Sequence, residues 1–458
     1  MASLAHWKRT VKDQLIHVPT VQKTLSSTVV EEHCRRAGHA WRASFWNPAT
    51  TVLTFLLQVL DGAKTQRAAV NLLLTQLAAA PRRPGIDLPS PDPSAYCQAR
   101  LVADSLREQV SSTTGWWGCR VWVTDGSSVS MPDTPELQGA FPQPPGQKPG
   151  CGFPVAQFVA LFCWTTGAVH DVAMDSLRPH ELILFRRLWH HFQAGDVVLA
   201  DRAYGSYVDT ARLQQRGVFG VFRLHQRRKA DFRPGHVCPG RLGPEDRLVV
   251  WPRPKRWLPS FGIPVEEFER LPETLSVRLI RIASVPRGFR SRTIFMATTL
   301  LDPVQFPADE IRALYRDRWT AELNFRSLKT HLGMDVLRSQ SVEMIRKEIT
   351  MHLLAYNLIR LLMWEAARRH GSDLHRLSFT GTLHRLRAMG PILFLGARRG
   401  PADIGRLVEL LLFWIAKDRV PDRPNRLEPR RRKRRPKGYS LLNQPRHIYH
   451  LHGDHGAR

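Results

Sequence analysis

Tyr315, Arg318, Glu322 and Lys329 recur at gaps of three, four and seven residues in LYRDRWTAELNFRSLKTHLG. At about 100° per residue these spacings bring them within roughly 60° of one another on one stripe of a helix. A phenol, a guanidinium, a carboxylate and an ammonium make a poor core face. They suit a surface that grips a phosphodiester beside a metal-binding acid. A solvated ion-pair face is the competing reading, because Arg and Glu four apart are ordinary helix-surface partners. Two further acids weigh against it. Asp125 closes the apolar run in VWVTDGSS and Asp201 closes the one in DVVLADRAYGSY. Each therefore sits where a buried strand emerges at the carboxyl edge of an open sheet, where such sheets hold their sites. Two carboxylates from strand ends and one from a later helix can gather hard oxygen ligands for two Mg2+ ions, one activating the attacking oxygen and one stabilising the leaving oxygen.

The elements that must position these acids are legible in outline. HELILFRRLWHHFQAGDVVLAD reads as an amphipathic helix followed by a strand, the alternation a mixed α/β sheet requires. His180-Glu181 reads as the start of that helix. His170, His190 and His191 are tempting as metal ligands, but a two-metal carboxylate site needs no imidazole. Arg202 and Tyr204, beside Asp201, could touch a nucleic acid or fix the turn. After GVFGVFRL, residues 225 to about 290 are rich in Pro and Arg, with strand-like DRLVVW and LSVRLIRIASV, and SRTIFMATTL then returns to core character. The helix over SVEMIRKEITMHLLAYNLIRLLMWEAARRHG is apolar on a broad face and should cover the sheet. It is interrupted by His352, Asn357 and Arg360, and no stretch of the chain reads as a membrane span or an export signal.

The chain at this point resembles the DDE transposases of bacterial insertion sequences, in the insertion-sequence-four family whose cut-and-paste branch carries Tyr-x2-Arg-x3-Glu-x6-Lys. Tyr315, Arg318, Glu322 and Lys329 match that pattern without gap or substitution. Asp125-Gly126-Ser127 resembles the family's DG[ST] block, and Asp201-Arg202-Ala203-Tyr204 its D-R-[GA]-[YF] block. The resemblance covers roughly residues 110 to 365. It implies a ribonuclease-H-like mixed sheet core with a β-rich insertion at about 225–290 inside a catalytic domain at 111–365. Around this lie a helical DNA-binding region at 1–110, a helical region at 366–422 with possible dimer contacts, and a basic tail at 423–458. It implies catalysis by Asp125, Asp201 and Glu322 on two Mg2+ ions, with Mn2+ able to substitute, and phosphate contacts from Tyr315, Arg318 and Lys329. In relatives an aromatic residue of the insertion stacks on a base flipped from the element end. Trp251 and Trp257, set among Arg253, Lys255 and Arg256 in VVWPRPKRWLP, are the candidates here, each also readable as an ordinary buried Trp. The DNA partners so implied are terminal inverted repeats and a target, held by a homodimer in a synaptic complex. In relatives the second attack leaves a hairpin on the element end.

Composition agrees with a nucleic-acid partner. Lys and Arg number 67 against 40 Asp and Glu, a formal +27, which predicts a broad field attractive to phosphate and strongly salt-dependent binding. The six consecutive basic residues from Arg430 to Arg435 suit phosphate backbones. At the other end, two apolar helices joined at Asp61-Gly62 could present Lys64 and Arg67 to a groove, or simply pack as a hairpin on the core. PRRPGIDLPSPDPS, residues 81–94, reads as a linker. None of the six cysteines forms a CxxC pair or a zinc-like spacing with His, which fits reduced or buried thiols and a reducing cytoplasm; the resemblance implies a bacterial cytoplasm, at the nucleoid. Two other functions compete with transposition: a catalytically silent DNA-binding derivative, against which the three intact acids speak, and a ribonuclease-H-like nuclease that cuts without joining.

Overall fold

The structure is a computed structural model and describes residues 54, 58–62, 115–228, 230, 232, 240–282, 293–396, 401–421, 439 and 441–451. The N-terminal hairpin cations Lys64 and Arg67, the linker at 81–94 and the run Arg430–Arg435 lie outside these residues.

Strands β1 (Val121–Ser130), β2 (Val155–Cys163) and β3 (Val169–Ser176) form an antiparallel meander. Strands β4 (Val197–Ala200) and β5 (Phe219–Arg223) add to the other side of β1 in parallel, giving the order β3-β2-β1-β4-β5 with only β2 reversed. This is the ribonuclease-H-like core. All four residues of β4 are buried, as an internal parallel strand covered on both faces requires. The sheet then continues outward. Strand β9 (Ile294–Thr298) pairs antiparallel with β5, and β8 (Thr274–Ile282), β7 (Asp246–Pro252) and β6 (Arg241–Gly243) follow in turn. The strand-like stretches between 240 and 282 therefore extend the core sheet edge to edge into nine strands.

Alternation along β1 divides the interior into two layers. Val121 and Val123 face a large cluster with Phe325, Leu328, Tyr356 and Ile359, whereas Trp122 faces another with Leu184, Phe185, Trp189 and Tyr204. Short helices α1 (Pro135–Ala140), α2 (Glu181–Arg187), α3 (Tyr207–Gln215) and α4 (Val265–Glu269) are interleaved with the strands. Helices α5 (Ala308–Arg316) and α6 (Trp319–Arg326), a π-helical segment over Ser327–His331, and α7 (Val342–His370) follow β9. Next come α8 (Phe379–Gly396) and α9 (Pro401–Lys417), which pack on α7 and on each other, and α10 (Arg446–Leu451).

The apolar face of α7 covers the sheet, and its polar interruptions have partners. Asn357 accepts from the Val169 N–H and donates to the Val169 carbonyl, both at 2.8 Å, and Arg360 donates to the Thr166 carbonyl at 2.7 Å. The Tyr356 hydroxyl donates to the Gly167 carbonyl beside them. These groups pin the β2–β3 turn to the helix. Among the described residues no helix is long and apolar enough to cross a membrane.

Candidate active site

Strands β1 and β4 run side by side, with Val121, Trp122 and Val123 opposite Val197, Val198 and Leu199. Carried two residues further, that register sets Asp125 opposite Asp201, so both acids stand at the carboxyl edge of adjacent parallel strands. β4 ends there, whereas β1 runs on to Ser130 against β2. Asp125 thus lies within a strand and not at its end, in the place where the strand loses its parallel neighbour.

Glu322 arrives on α6, half-exposed, and Arg318 joins it to the strands. The guanidinium donates to Glu322 Oε1 at 3.0 Å and lies 3.9 Å from Asp125 Oδ2. Burial works against its charge, yet Tyr315, Glu322, Asp201 and Asp125 together hold its pKa above the ordinary value. Asp125 is 23% exposed, and burial pushes its carboxyl up to about 6. The Gly126 N–H and Arg318 oppose that rise, while Glu181 and Glu322 add to it. Oxygen donors crowded round a single bridging cation suit a hard divalent ion.

The four-residue motif does not occupy one regular helix. Tyr315 lies in the last turn of α5, Arg318 stands at the N-cap position of α6, Glu322 lies within α6, and Lys329 sits in the π-helical turn closed by the Leu332 N–H on the Ser327 carbonyl. The break falls at Asp317, whose carboxylate accepts from the Trp164 indole at 2.9 Å. The extra residue of the π turn directs Lys329 back to β1, where it donates to Ser127 Oγ at 3.1 Å and to the Ser128 carbonyl at 2.7 Å. Tyr315 is 7% exposed and its phenol is pushed up to about 12, first by burial, with Asp201 adding and Arg318 opposing. It therefore steadies Arg318 from beneath and does not present a hydroxyl to solvent.

Two other expected DNA contacts belong to the interior. Tyr204 is buried; its hydroxyl donates to Glu181 Oε1, and its ring meets Phe185 edge-on at 5.0 Å. Burial and then Glu181 push that phenol well above its ordinary range. Trp251 is buried in the small core beneath β7 and β8, with the Arg228 guanidinium 3.6 Å from its ring centre. Both rings lie in the interior, because tertiary burial and not chain position decides what an aromatic ring meets. Trp257 is partly buried, and its indole N–H donates to the Ile263 carbonyl at 2.9 Å. Arg202 donates to Gln226 Oε1 at 2.9 Å, across the turns after β4 and β5.

Some residues of the site carried little signal in the sequence. Trp319 and Leu323, 49% and 47% exposed, flank Glu322 on α6 and offer apolar surface beside the acid. Glu181 was legible only as the first residue of a helix. His180 does cap that helix, accepting from the Leu182 N–H at 3.2 Å. The other histidines meet at a different place: Asp171, His190 and His191 offer ligand atoms all within 4.8 Å of one another. Their nitrogens have protein partners, His191 with His170 and Asp171 and His190 with the Arg187 carbonyl.

Residues 116–358 match the family described as "Transposase DDE domain". Over 372 residues the chain is 26% identical to "Transposase InsG for insertion sequence element IS4" of Escherichia coli (strain K12), covering 76% of this chain and 78% of the relative. It also aligns with the structure titled "Cryo-EM structure of piggyBac transposase synaptic complex with hairpin DNA", at a TM-score of 0.43 and 7% identity, over 88% of this chain and 86% of that one.

Proposed function

Because the chain belongs to the DDE transposase family, in its insertion-sequence-four type, we propose that Asp125, Asp201 and Glu322 are the acids with which it cleaves DNA and transfers strands. The family's enzymes work with divalent metal ions on DNA. The finer reading is that two Mg2+ ions, replaceable by Mn2+, are held by these three carboxylates. The observation that carries it is Arg318, which binds Glu322, lies 3.9 Å from Asp125 and has its charge favoured by Asp201 as well.

Bound there, such ions would lower the pKa of an attacking water or 3′-hydroxyl and stabilise the leaving oxygen. The chain's own residues supply the geometry. Asp125 within β1 and Asp201 just after β4 fix one side of the site, and Glu322 closes it from α6. Arg318 ties the half-exposed Glu322 to the Asp125 side of the site and is suited to hold a phosphate as a fork. Lys329 fastens the DGSS segment to the same helical rod. Arg202 adds positive charge beside Asp201, and Trp319 and the half-buried Trp257 are the aromatic surfaces we assign to an unstacked base. We assign terminal inverted repeats and a target as the DNA, a homodimer as the working unit, and the bacterial cytoplasm, at the nucleoid, as the place.

The test is Mg2+-dependent cleavage of a labelled plasmid carrying the flanking inverted repeats, with a target plasmid supplied. Wild type should cut at the repeat ends and yield joined products. Asp125→Ala, Asp201→Ala and Glu322→Ala should each lower cleavage by at least about 10^3-fold while end binding persists. Cutting that survives in any one variant removes that acid from the assignment. End binding by wild type without cutting would make the protein a silent derivative, and cutting without joining a nuclease.

A further inference from the structure

We infer that Glu181 is a fourth carboxylate of the same metal-holding edge, brought from the opposite face of the sheet to Glu322 and held in place by Tyr204. The inference rests on the assignment of Asp125, Asp201 and Glu322 above.

Alternation in β1 is the starting point. Asp125 faces the layer of α5 to α7, so the next residue, Gly126, faces the layer of α2. Glu181 is the first residue of α2, and its carboxylate fills the volume beside Gly126: a Cβ at that position would collide with Glu181 Oε1 and its carboxyl carbon. The glycine of the DG[ST] block thus has a local reason. It admits an acid, not a turn, since its backbone dihedrals lie outside the left-handed region.

The carboxylate is also held from the turn after β4. Tyr204 follows Asp201 by three residues, is 1% exposed, and spends its hydroxyl on Glu181 Oε1. Glu181 is therefore set between the segments that carry Asp125 and Asp201, braced by a buried phenol locked against Phe185. Packing alone does not call for an acid here, since a glutamine could accept the same hydrogen bond without placing a further negative charge beside Asp125. Two octahedral cations present more positions than three carboxylates fill, and an additional hard oxygen donor at their edge is of the right type. Tyr204 is then a positioning residue.

The experiment is Mn2+ titration of the full chain without DNA, followed by electron paramagnetic resonance of the free ion, with thermal melting of each variant alongside. Glu181→Gln keeps the Tyr204 hydrogen bond and removes the charge. It should weaken Mn2+ binding by roughly tenfold or more, shift the metal dependence of cleavage upward by a similar factor, and leave the melting temperature close to wild type. Gly126→Ala should weaken binding as well, by displacing an unaltered Glu181, and Tyr204→Phe should do so to a smaller extent. Wild-type Mn2+ affinity in Glu181→Gln, with binding lost in Asp125→Asn, would overturn this inference and leave the three-acid site standing. Wild-type affinity in both variants would bring down both. Should Glu181→Gln fail to fold, Tyr204→Phe decides, since its hydroxyl bonds Glu181: weakened binding supports the fourth carboxylate, and unchanged binding overturns it.

Discussion

Asp125 is held where its charge is costly, and the cost can be measured. Burial first, and then Glu181 and Glu322, push its folded carboxyl up to about 6, above the ordinary 3.8 of an unfolded Asp. Below the unfolded value both states hold the proton and nothing is lost. Between the two values the folded state keeps a proton that the unfolded state releases, so stability falls as pH rises through that window. Above about pH 6 the full penalty remains, on the order of 2–3 kcal/mol. Asp125→Asn should therefore raise the metal-free melting temperature at pH 7.5 by several degrees, and its advantage should vanish near pH 3.5. Equal melting of variant and wild type at both pH values would rule the penalty out. By the same sign, metal binding at this edge should weaken as pH drops below about 6, because proton and cation compete for one carboxylate. Asp125 and Asp201 were readable from the sequence because an acid that closes an apolar run is out of place as core, although Asp125 proves to lie within β1 and not at its end. Glu181 was not, because an acid in a helix's first turn already satisfies the helix dipole and leaves no anomaly to notice.

At the scale of elements, what sequence periodicity expressed was the faces, and what it could not express was the joints. The strands around Asp125 and Asp201, the return of 294–298 to the core sheet and the covering helix at 342–370 follow from runs and repeats of apolar residues. The stripe of Tyr315, Arg318, Glu322 and Lys329 assumed one unbroken helix. The turn at Asp317 and the π segment at 327–331 redirect its ends instead, Tyr315 into the core and Lys329 onto Ser127 and Ser128. Both joints are fixed by partners distant in sequence, Trp164 and the DGSS segment, which local patterns do not encode. Arg278 is a similar case. Within LSVRLIRI it looks like an outward-facing strand residue, yet it is fully buried. It grips both oxygens of Asp246, at 2.8 and 2.5 Å, and donates to the Phe306 carbonyl at 2.7 Å. It therefore ties β7 and β8 to the segment that leads into α5. Arg278→Met should cost about 3–5 kcal/mol by leaving Asp246 buried and unpaired, and the double change with Asp246→Leu should recover much of it. Chemical denaturation of the two variants checks this, and a loss below 1 kcal/mol in the single variant would show that the pair does not brace the insertion.

Across the whole molecule the formal charge of +27 is the property that any DNA meets first. The run Arg430–Arg435 lies between two anchors on the body. On one side α9 ends at Lys417 after packing along α7. On the other, Tyr439 stacks on Phe153 at 4.7 Å and donates to the Leu337 carbonyl, and Arg446 reaches Asp133 at 2.8 Å. The basic tail expected at 423–458 thus has described residues fastened to the body at Phe153, Leu337 and Asp133, and the six cations fall in the sequence between α9 and these anchors. Phosphate contacts made there should add affinity without sequence preference, and each should release about 0.9 of a counterion. Replacing all six residues with Gln should weaken binding to repeat-bearing and unrelated duplexes by a similar factor and reduce the slope of log K against log salt by up to about 5. The anchors are untouched, so folding should persist. Competition binding at several salt concentrations reads both quantities at once. A slope identical to wild type would mean that the run meets no DNA, and a loss confined to the inverted repeats would make it a reader of sequence and not a clamp on the backbone.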